Sequence, residues 1–387
     1  MHTVLLMILF DDFFGLQIVF HRYFHGNSVT DGGTLWQLRC LIRRHNISKD
    51  VSKQMNELED FFKLVGKAHI MAAALHFFGM DDTSEEPKQH AWPPELVPAS
   101  SEELSWEYLH DILGTFVDQY IMPSIAFDIT GKPQKGSEKN GIRNYACSLM
   151  TDCLVIAKFN DAVHEGDSER MIIWKLLLLY FRASGHKNYA LESMNLVVQS
   201  LALLSERDAF RLKWCRFVNK RGQKGTNIPC DLAMEHWNKA FKTHLSATGA
   251  NIRSSTIMRT GMALSTLESI TSGFDVASNV TPVTVRHSTK SADKDQRTVL
   301  EVLHRKHHVF SSEGSHSKFP NFKRNHLSHI DRKKFDKWIQ GHIQKLSKLQ
   351  KKQLKISQQN LQESITPADT GALSLISELE EEWDIDV

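Results

Sequence analysis

A long segment from Val51 to Met80 constrains the fold most, because it is apolar on two sides of a single helix. One stripe recurs at four-three spacing and comprises Val51, Met55, Leu58, Phe62, Val65, His69 and Ala72. A second stripe comprises Phe61, Leu64, Ala68, Met71, Leu75 and Phe78. A helix that is apolar around much of its circumference is buried in the centre of a domain. The pattern therefore predicts a central helix, with His69 as a core histidine rather than a ligand.

Helical periodicity also dominates the rest of the first 275 residues. It predicts further helices at Leu35–His45, Glu102–Met122, Gly141–Phe159, Glu169–Arg182, Tyr189–Leu204, Leu232–Leu245 and Ser255–Ile270. Loops are predicted at Trp92–Pro94 and Gly131–Gly136, and the one short strand candidate before residue 275 is Ser124–Thr130. We predict a mainly α protein, with a multi-helix globular domain of few or no strands.

The charge of the chain is segregated along its length. The 387 residues carry a net charge of +2, yet residues 297–355 contain 15 basic and 4 acidic side chains, and residues 363–387 contain 8 acidic and no basic ones. We predict four regions: a helical domain (1–275), a linker or irregular segment (276–296), a basic helical C-terminal region (297–356) and an acidic, disordered tail (357–387). A basic region of this kind is typical of nucleic-acid contact or nuclear targeting.

Composition excludes several classes of protein. Charged residues make up 24% and hydrophobic residues 41%, which excludes a wholly disordered, a collagen-like and a multi-span membrane chain. Five cysteines without a CxxC pair indicate reduced thiols in an intracellular protein, nuclear or cytoplasmic, with no membrane partner. The apolar run Val4–Phe10 follows no basic residue and precedes two aspartates, so we expect a buried helix rather than a signal peptide.

The stretch from Arg207 to Lys224 combines cations with aromatic residues. Phe210, Trp214 and Phe217 lie between basic side chains, so nucleic-acid bases could stack while the cations neutralise phosphates. The candidate nucleic-acid-binding residues are Arg211, Lys213, Arg216, Lys220, Arg221 and Lys224. The alternative is an amphipathic helix whose aromatic residues belong to the core and whose cations are solvated.

The next segment contains the candidate catalytic residues. Asp231, Glu235 and Asn238 share one helix face, and oxygen ligands of this kind are the set that Mg²⁺ prefers. The candidates for catalysis are Asp231, Glu235, His236 and Asp167. The alternative assigns Asp231 to a helix N-cap, Glu235 to an ion pair with Lys239, and Asp167 or Ser168 to the cap of the next helix.

Other enzyme signatures are incomplete, and we predict no metal site. His164-Glu165 begins like a zinc-protease motif, but position 168 is Ser where the second ligand is needed. Gly131–Gly136 has the spacing of a phosphate loop, but Ser137 follows where Lys is required. We expect no cofactor, with Mg²⁺ only if the acidic residues form a nuclease site.

Several short motifs, in a fixed order, resemble a known family. They are Asp31-Gly-Gly-Thr-Leu-Trp-Gln-Leu-Arg39, Glu59-Asp-Phe-Phe62 with Ala68-His69, Gly166-Asp167-x-Glu169-Arg170, Trp214-x-Arg216-Phe-Val-Asn219, Asn227-Ile-Pro-x-Asp231-Leu-x-Met-Glu235-His236-x-Asn238 and Phe319-Pro-x-Phe-Lys-Arg324. Over roughly residues 30–340 the chain resembles the eukaryotic domain-of-unknown-function family numbered 6589. That family has no established activity, and its scattered, multi-copy occurrence suggests descent from mobile elements.

The resemblance also implies that part of the family pattern is missing. Family members usually carry an upstream Gly-Asp-Gln segment and a Trp-His element, and neither occurs in this sequence. We therefore expect the N-terminal part of the family to be lacking. If the upstream acidic residues belong to a nuclease-like site, Asp167, Asp231 and Glu235 are remnants of it.

Three functional hypotheses follow from the sequence. The first is a mobile-element-derived helical protein that binds nucleic acid without catalysis. The second is a metal-dependent nuclease or strand-transfer enzyme, in active or degenerate form. The third is a protein-interaction scaffold that uses residues 373–387, where Ile376, Leu379 and Trp383 could dock into a partner.

Overall fold

The computed structural model of the chain is mainly α-helical, and it divides into two compact units, residues 1–330 and 331–387. It describes residues 20–47, 55–91, 102–121, 140–167, 170, 204–219, 222–247, 249, 253–279, 292–322, 324 and 332–362. The helices of the first unit are α1 (Leu35–Leu41), α2 (Met55–Phe78), α3 (Glu102–Phe116), α4 (Gly141–Glu165), α5 (Glu206–Trp214), α6 (Cys230–Ala247), α7 (Ser254–Ala277) and α8 (Ala292–Glu301). π-Helical turns extend α3 over Val117–Ile121 and α8 over Val302–Lys306. Strands β1 (Phe217–Val218) and β2 (Ile228–Pro229) form an antiparallel pair.

The predicted central helix is confirmed as α2. Residues of both predicted stripes are buried, among them Leu58, Phe61, Val65 and Ala68. His69 is fully buried, and its Nδ1 donates a hydrogen bond to the carbonyl oxygen of Val65 at 2.9 Å. By length and composition, Glu57–Phe78 is apolar enough to cross a membrane, but 61% of its most apolar window is buried inside the protein, as in a core helix.

Helix α4 packs closely against α2. The Sγ atom of Cys153 lies 2.6 Å from the position that a Cβ on Gly66 would occupy. The absence of a side chain at Gly66 is therefore what allows α4 to approach α2. Helix α4 begins where the side chain of Asn140 accepts a hydrogen bond from the Arg143 amide, and it ends at Gly166 in the left-handed conformation.

The segment from α8 to residue 322 completes the core of the first unit. Val299, Leu303, Val309 and Phe310 are buried in the same apolar cluster as α2 and α4. Farther along, the buried carboxylate of Asp31 accepts three hydrogen bonds of 2.9 Å, two from the amide and hydroxyl of Ser317 and one from the amide of Lys318. Residues near both ends of the first unit thus share one core.

Most predicted helices in the described residues are present with shifted ends. The predicted helix at Leu35–His45 is shorter, because Ile42 ends α1, and the helix at Gly141–Phe159 continues to Glu165. The helices predicted at Leu232–Leu245 and Ser255–Ile270 each extend at both ends, as α6 and α7. The predicted loops at 92–94 and 131–136, the strand at 124–130, nearly all of the helices at 169–182 and 189–204, the run 4–10 and the tail 363–387 lie outside the described residues.

The boundary between the two units falls inside the predicted basic region. The last residues of α7 and the first of α8 lie within the predicted linker 276–296, and residues 297–322 belong to the first unit. The second unit contains a 31-residue helix, α9 (Arg332–Gln362), in which the Trp338 and His342 rings make an edge contact at 5.0 Å. Charge alone does not separate basic residues that join a core from those on an exposed helix.

Candidate nucleic-acid interface

Helix α5 presents two aromatic side chains to solvent. Ser205 caps the helix by accepting a hydrogen bond from the Asp208 amide at 3.2 Å. Phe210 and Trp214, one turn apart, have ring centroids 5.8 Å apart and are 60% and 57% exposed. Large aromatic side chains are normally buried or form part of an interface. Their exposure on a short helix makes this face a candidate contact surface.

Cations flank the aromatic pair on the same helix. Arg207 and Arg211 are both exposed. The guanidinium of Arg211 lies 3.7 Å from the carboxylate of Asp208, and both side chains are more than half exposed. Exposed ion pairs of this length contribute little energy, so Asp208 does not prevent Arg211 from contacting a phosphate.

The chain after α5 forms a β-hairpin with a polar, glycine-containing loop. Gly222 and Gly225 adopt positive φ angles of 66° and 71°, with nothing near the position of a Cβ, and Lys224 is exposed between them. Inside the loop, the Asn219 side-chain amide donates to the Gln223 carbonyl at 2.7 Å, and the Thr226 hydroxyl lies 3.0 Å from the Asn219 side-chain oxygen. These bonds connect Asn219 with Gln223 and Thr226, and Lys224, between the last two, is exposed.

The hairpin is anchored to the C-terminal end of α4. The Asn227 amide and side chain both donate to the His164 carbonyl, at 3.2 Å and 2.9 Å. Phe217 of β1 packs against a small apolar cluster on α4 formed by Phe159, Ala162 and Val163. Helix α6 follows β2 directly and contacts both strands. The end of α4 therefore positions the hairpin and the elements on either side of it.

The six predicted nucleic-acid-binding residues do not all lie on one surface. Arg211 and Lys224 are exposed, whereas Arg216 is only 8% exposed and its backbone carbonyl accepts a hydrogen bond from the Cys230 amide. The side chain of Lys213 and the residues Lys220 and Arg221 lie outside what the structure describes. Burial of Arg216 follows from its position at the base of the hairpin, where the two strands meet.

The acidic candidates whose side chains the structure describes do not form a metal site. Glu235 and His236 are exposed on α6, and the side chain of Asp231 is not described. Asp167 accepts hydrogen bonds from the Arg170 amide at 3.0 Å and from its Nε at 2.7 Å. Among the described residues, no three His, Cys, Asp or Glu side chains lie together in a way that could hold a metal ion.

Arg170 is held by three carboxylates at the end of α4. Asp167, Asp161 and Glu165 all form ion pairs with its guanidinium. The hydrogen bond that Arg170 donates to Asp167, followed by the one that it donates to Asp161, raises the pKa of Arg170 above its ordinary value. These three acidic residues are therefore engaged in ion pairs with Arg170.

Two buried carboxylates, Asp152 and Asp31, were not among the predicted site residues. Asp152 accepts a hydrogen bond from the Tyr23 hydroxyl and lies 3.4 Å from the Arg22 guanidinium, and Asp31 accepts the bonds from Ser317 and Lys318. Burial raises the pKa of Asp31, but these hydrogen bonds outweigh it and hold the pKa below its usual value. The Asp31-Gly-Gly motif was a signal for the second carboxylate, whereas Asp152 lies in an ordinary helical segment.

The protein is mainly α-helical. Its candidate nucleic-acid interface consists of α5, which carries exposed aromatic and cationic side chains, and the adjoining β1–β2 hairpin. The chain belongs to a family of unknown function (DUF6589), whose model matches residues 15–287. Comparison with curated proteins and with solved structures gives no match.

Proposed function

We propose that the protein binds single-stranded nucleic acid, without catalysis, through α5 and the adjoining hairpin loop. The observation that carries this proposal is the exposed pair of Phe210 and Trp214, flanked by the exposed cations Arg207 and Arg211. Proteins that bind single strands combine aromatic stacking platforms with cations that follow the backbone. Descent from a mobile element, which the family resemblance implies, is consistent with such a function.

The polar hairpin loop supports the same function. Lys224 lies between two glycines whose backbone is open to solvent, so a phosphate can approach both the ammonium group and the loop amides. We leave Arg216 out of the proposed contact surface because of its burial. The proposed contact residues are therefore Arg207, Phe210, Arg211, Trp214 and Lys224.

The described residues make no specific contact that favours either of the two other hypotheses. A metal-dependent nuclease or strand-transfer enzyme needs acidic side chains that converge, and Asp167 is instead bound to Arg170. The scaffold hypothesis depends on residues 373–387, which lie outside the described part of the chain.

Fluorescence anisotropy with a labelled single-stranded oligonucleotide tests the proposal. Binding by the full chain should weaken as salt rises, because cation–phosphate contacts release counterions. Trp214→Ala should weaken binding by about 5–150-fold, which corresponds to about 1–3 kcal/mol for a lost stacked base. Arg211→Gln should reduce the slope of log affinity against log salt by about 0.7, the value for one phosphate contact on a single strand.

The matched control is Trp106→Ala on α3. Trp106 is also an exposed tryptophan, at 68%, on a helix outside the proposed surface. Its replacement should leave the affinity unchanged. Failure to bind at low salt, or an equal loss in the Trp106 and Trp214 variants, would refute the proposal.

A further inference from the structure

Two arginine side chains, Arg143 and Arg324, lie near the same buried thiol without a carboxylate partner. Cys147 follows Arg143 by one turn of α4 and is fully buried. Burial raises the pKa of the Cys147 thiol, whereas the charges of Arg324 and then Arg143 lower it, so both guanidinium groups act on this thiol. Within the described part of the chain, neither guanidinium forms an ion pair with an Asp or Glu side chain.

Neutral groups hold both arginines in place. The Arg143 guanidinium lies over the Tyr120 ring, 5.1 Å from its centroid, and its Nη1 is 3.5 Å from the Phe310 carbonyl oxygen. The Nη2 of Arg324 donates to the Gln119 carbonyl at 2.9 Å, whereas its Nε is buried and has no hydrogen-bond partner. A guanidinium has five N–H donors. Arg324 therefore retains donors, one of them buried, that an acceptor could satisfy.

The surroundings of the two arginines are cationic. Burial lowers the pKa of Arg324, and the charge of Arg143 lowers it further, although the Cys147 thiol acts in the opposite direction. Burial, followed by the charges of Arg143 and His304, also lowers the pKa of His76. Partly buried cations that repel one another are stabilised when an anion is placed among them. This part of the molecule therefore favours an anionic ligand.

Separate segments of the first unit position these groups. Arg143 lies in the first turn of α4, Tyr120 in the π-helical turn after α3, and His76 in the last turn of α2. The Ser148 hydroxyl donates to the Arg324 carbonyl, and the Tyr120 hydroxyl lies 2.5 Å from Nδ1 of His76. These contacts fix the backbone of Arg324 and the ring over which Arg143 lies, so the cluster is part of the tertiary structure.

We propose that Arg143 and Arg324 form a binding site for a phosphate group, either inorganic phosphate or the phosphate of a nucleotide. Guanidinium groups bind phosphate oxygens through charge-assisted, often bidentate hydrogen bonds. Two guanidinium charges balance a phosphate that is mostly a dianion at neutral pH, whereas a carboxylate would balance only one. The site uses neither α5 nor the loop of the β1–β2 hairpin, so it does not depend on the proposed nucleic-acid binding.

Isothermal titration calorimetry of the full chain with inorganic phosphate tests the proposal, with the ionic strength kept constant by sodium chloride. The wild type should bind phosphate. Arg324→Gln should raise the dissociation constant by about 10–150-fold, equivalent to ~1.5–3 kcal/mol for hydrogen bonds to a charged group. Arg324→Lys keeps the charge but loses the planar fork of donors, so its dissociation constant should lie between those of the other two proteins.

Titration with adenosine monophosphate distinguishes the two sources of the phosphate group. A nucleotide that binds more tightly than inorganic phosphate, and that loses affinity in Arg324→Gln, would assign a nucleotide as the ligand. Equal affinities would assign the phosphate group alone. Acetate should bind more weakly than either.

Arg39→Gln is the matched control. Arg39 also lies over an aromatic ring, 4.5 Å from the Trp36 centroid, and donates to a backbone carbonyl, that of His45, at 2.8 Å. Phosphate should raise the melting temperature of the wild type and of Arg39→Gln, but not that of Arg324→Gln, because a ligand stabilises only the folded state that binds it. A wild type that does not bind phosphate, an unchanged affinity in Arg324→Gln, or an equal loss in Arg39→Gln would overturn the proposal.

Discussion

Buried ionisable side chains in the core of the first unit depend on specific hydrogen-bond and ion-pair partners. Asp152 is held by Tyr23 and Arg22, Asp31 by Ser317 and Lys318, and His69 by the carbonyl of Val65. A buried polar group without such a partner would cost several kcal/mol, about 2–7 for an amide or hydroxyl. These contacts therefore determine how the core responds to pH.

His69 should make the protein sensitive to acid. Burial lowers its pKa from 6.5 to about 4, because the charged imidazolium is poorly solvated inside the core. The folded state therefore binds the proton less readily than the unfolded state. The resulting stability is fully present above pH 6.5 and is lost as the pH falls toward 4.

We expect His69→Leu to reduce the loss of stability on acidification. The pKa difference corresponds to about 3 kcal/mol at most, using 1.36 kcal/mol per pKa unit. Urea unfolding at pH 7 and pH 4 would give the change in the free energy of unfolding for each protein. The exposed His236, replaced by Leu, is the control and should retain the full wild-type change. An identical change in wild type and His69→Leu would contradict the prediction.

At the scale of elements, one glycine sets the distance between two helices. Gly66 on α2 faces Cys153 on α4 at a separation that no β-carbon tolerates. The close packing of α2 and α4 therefore depends on that single position. Gly114 on α3 has open space around it, since nothing lies within 4 Å of the position that an added Cβ would occupy.

The two glycines should respond oppositely to alanine. Gly66→Ala should destabilise the protein by about 1–3 kcal/mol through overpacking, and adding Cys153→Ala should recover part of that loss. Gly114→Ala should stabilise it by about 0.5–1 kcal/mol, because alanine is the better helix former. Chemical denaturation of the four proteins measures these differences. The interpretation fails if Gly66→Ala is as stable as the wild type.

At the scale of the whole molecule, the folded unit extends beyond the family match. The family model ends at residue 287, but Val299, Leu303, Val309 and Phe310 lie in the core of the first unit. Their burial contributes about 6–12 kcal/mol at about 1.5–3 kcal/mol each. That is comparable to the entire stability of a typical domain, about 5–15 kcal/mol.

Two truncations test where the unit ends. A chain that ends at Ile330 should melt cooperatively at the temperature of the first unit in the full protein, because 331–387 forms a separate unit. A chain that ends at Ser291 should lose cooperative unfolding. Scanning calorimetry and near-ultraviolet circular dichroism distinguish the two cases. A chain ending at Ser291 that melts like the longer one would refute the assignment.

Local pattern was sufficient to predict α1–α4, α6 and α7, but it predicted α5 only as an alternative, missed α8, and did not predict the contacts between helices. The two apolar stripes of 51–80 identify a buried helix because helical periodicity is a property of adjacent residues. The helix bounds of α1 and α4 were less accurate, since the ends depend on caps such as Gly166. The β-hairpin was not predicted, because each of its strands has only two residues and no alternating pattern.

The candidate nucleic-acid surface was predicted only in part, because the sequence shows which residues are charged or aromatic but not which of them are exposed. Arg211 and Lys224 could be chosen from composition alone, and both are exposed. Arg216 has the same charge and lies in the same run, but the strand pairing buries it. Exposure of Phe210 and Trp214 likewise could not be read from spacing, which allowed them to be core residues.

The sequence by itself determined that the chain is mainly helical, where the central helix lies and which family the chain belongs to, because periodicity and short ordered motifs are local properties. Only the tertiary structure decided which charged side chains are buried and which are exposed to solvent. It placed Arg216 and Asp31 inside and drew residues 297–322 into the core of the first unit. These outcomes depend on contacts between residues far apart in the chain, and such contacts leave no periodic trace in the sequence.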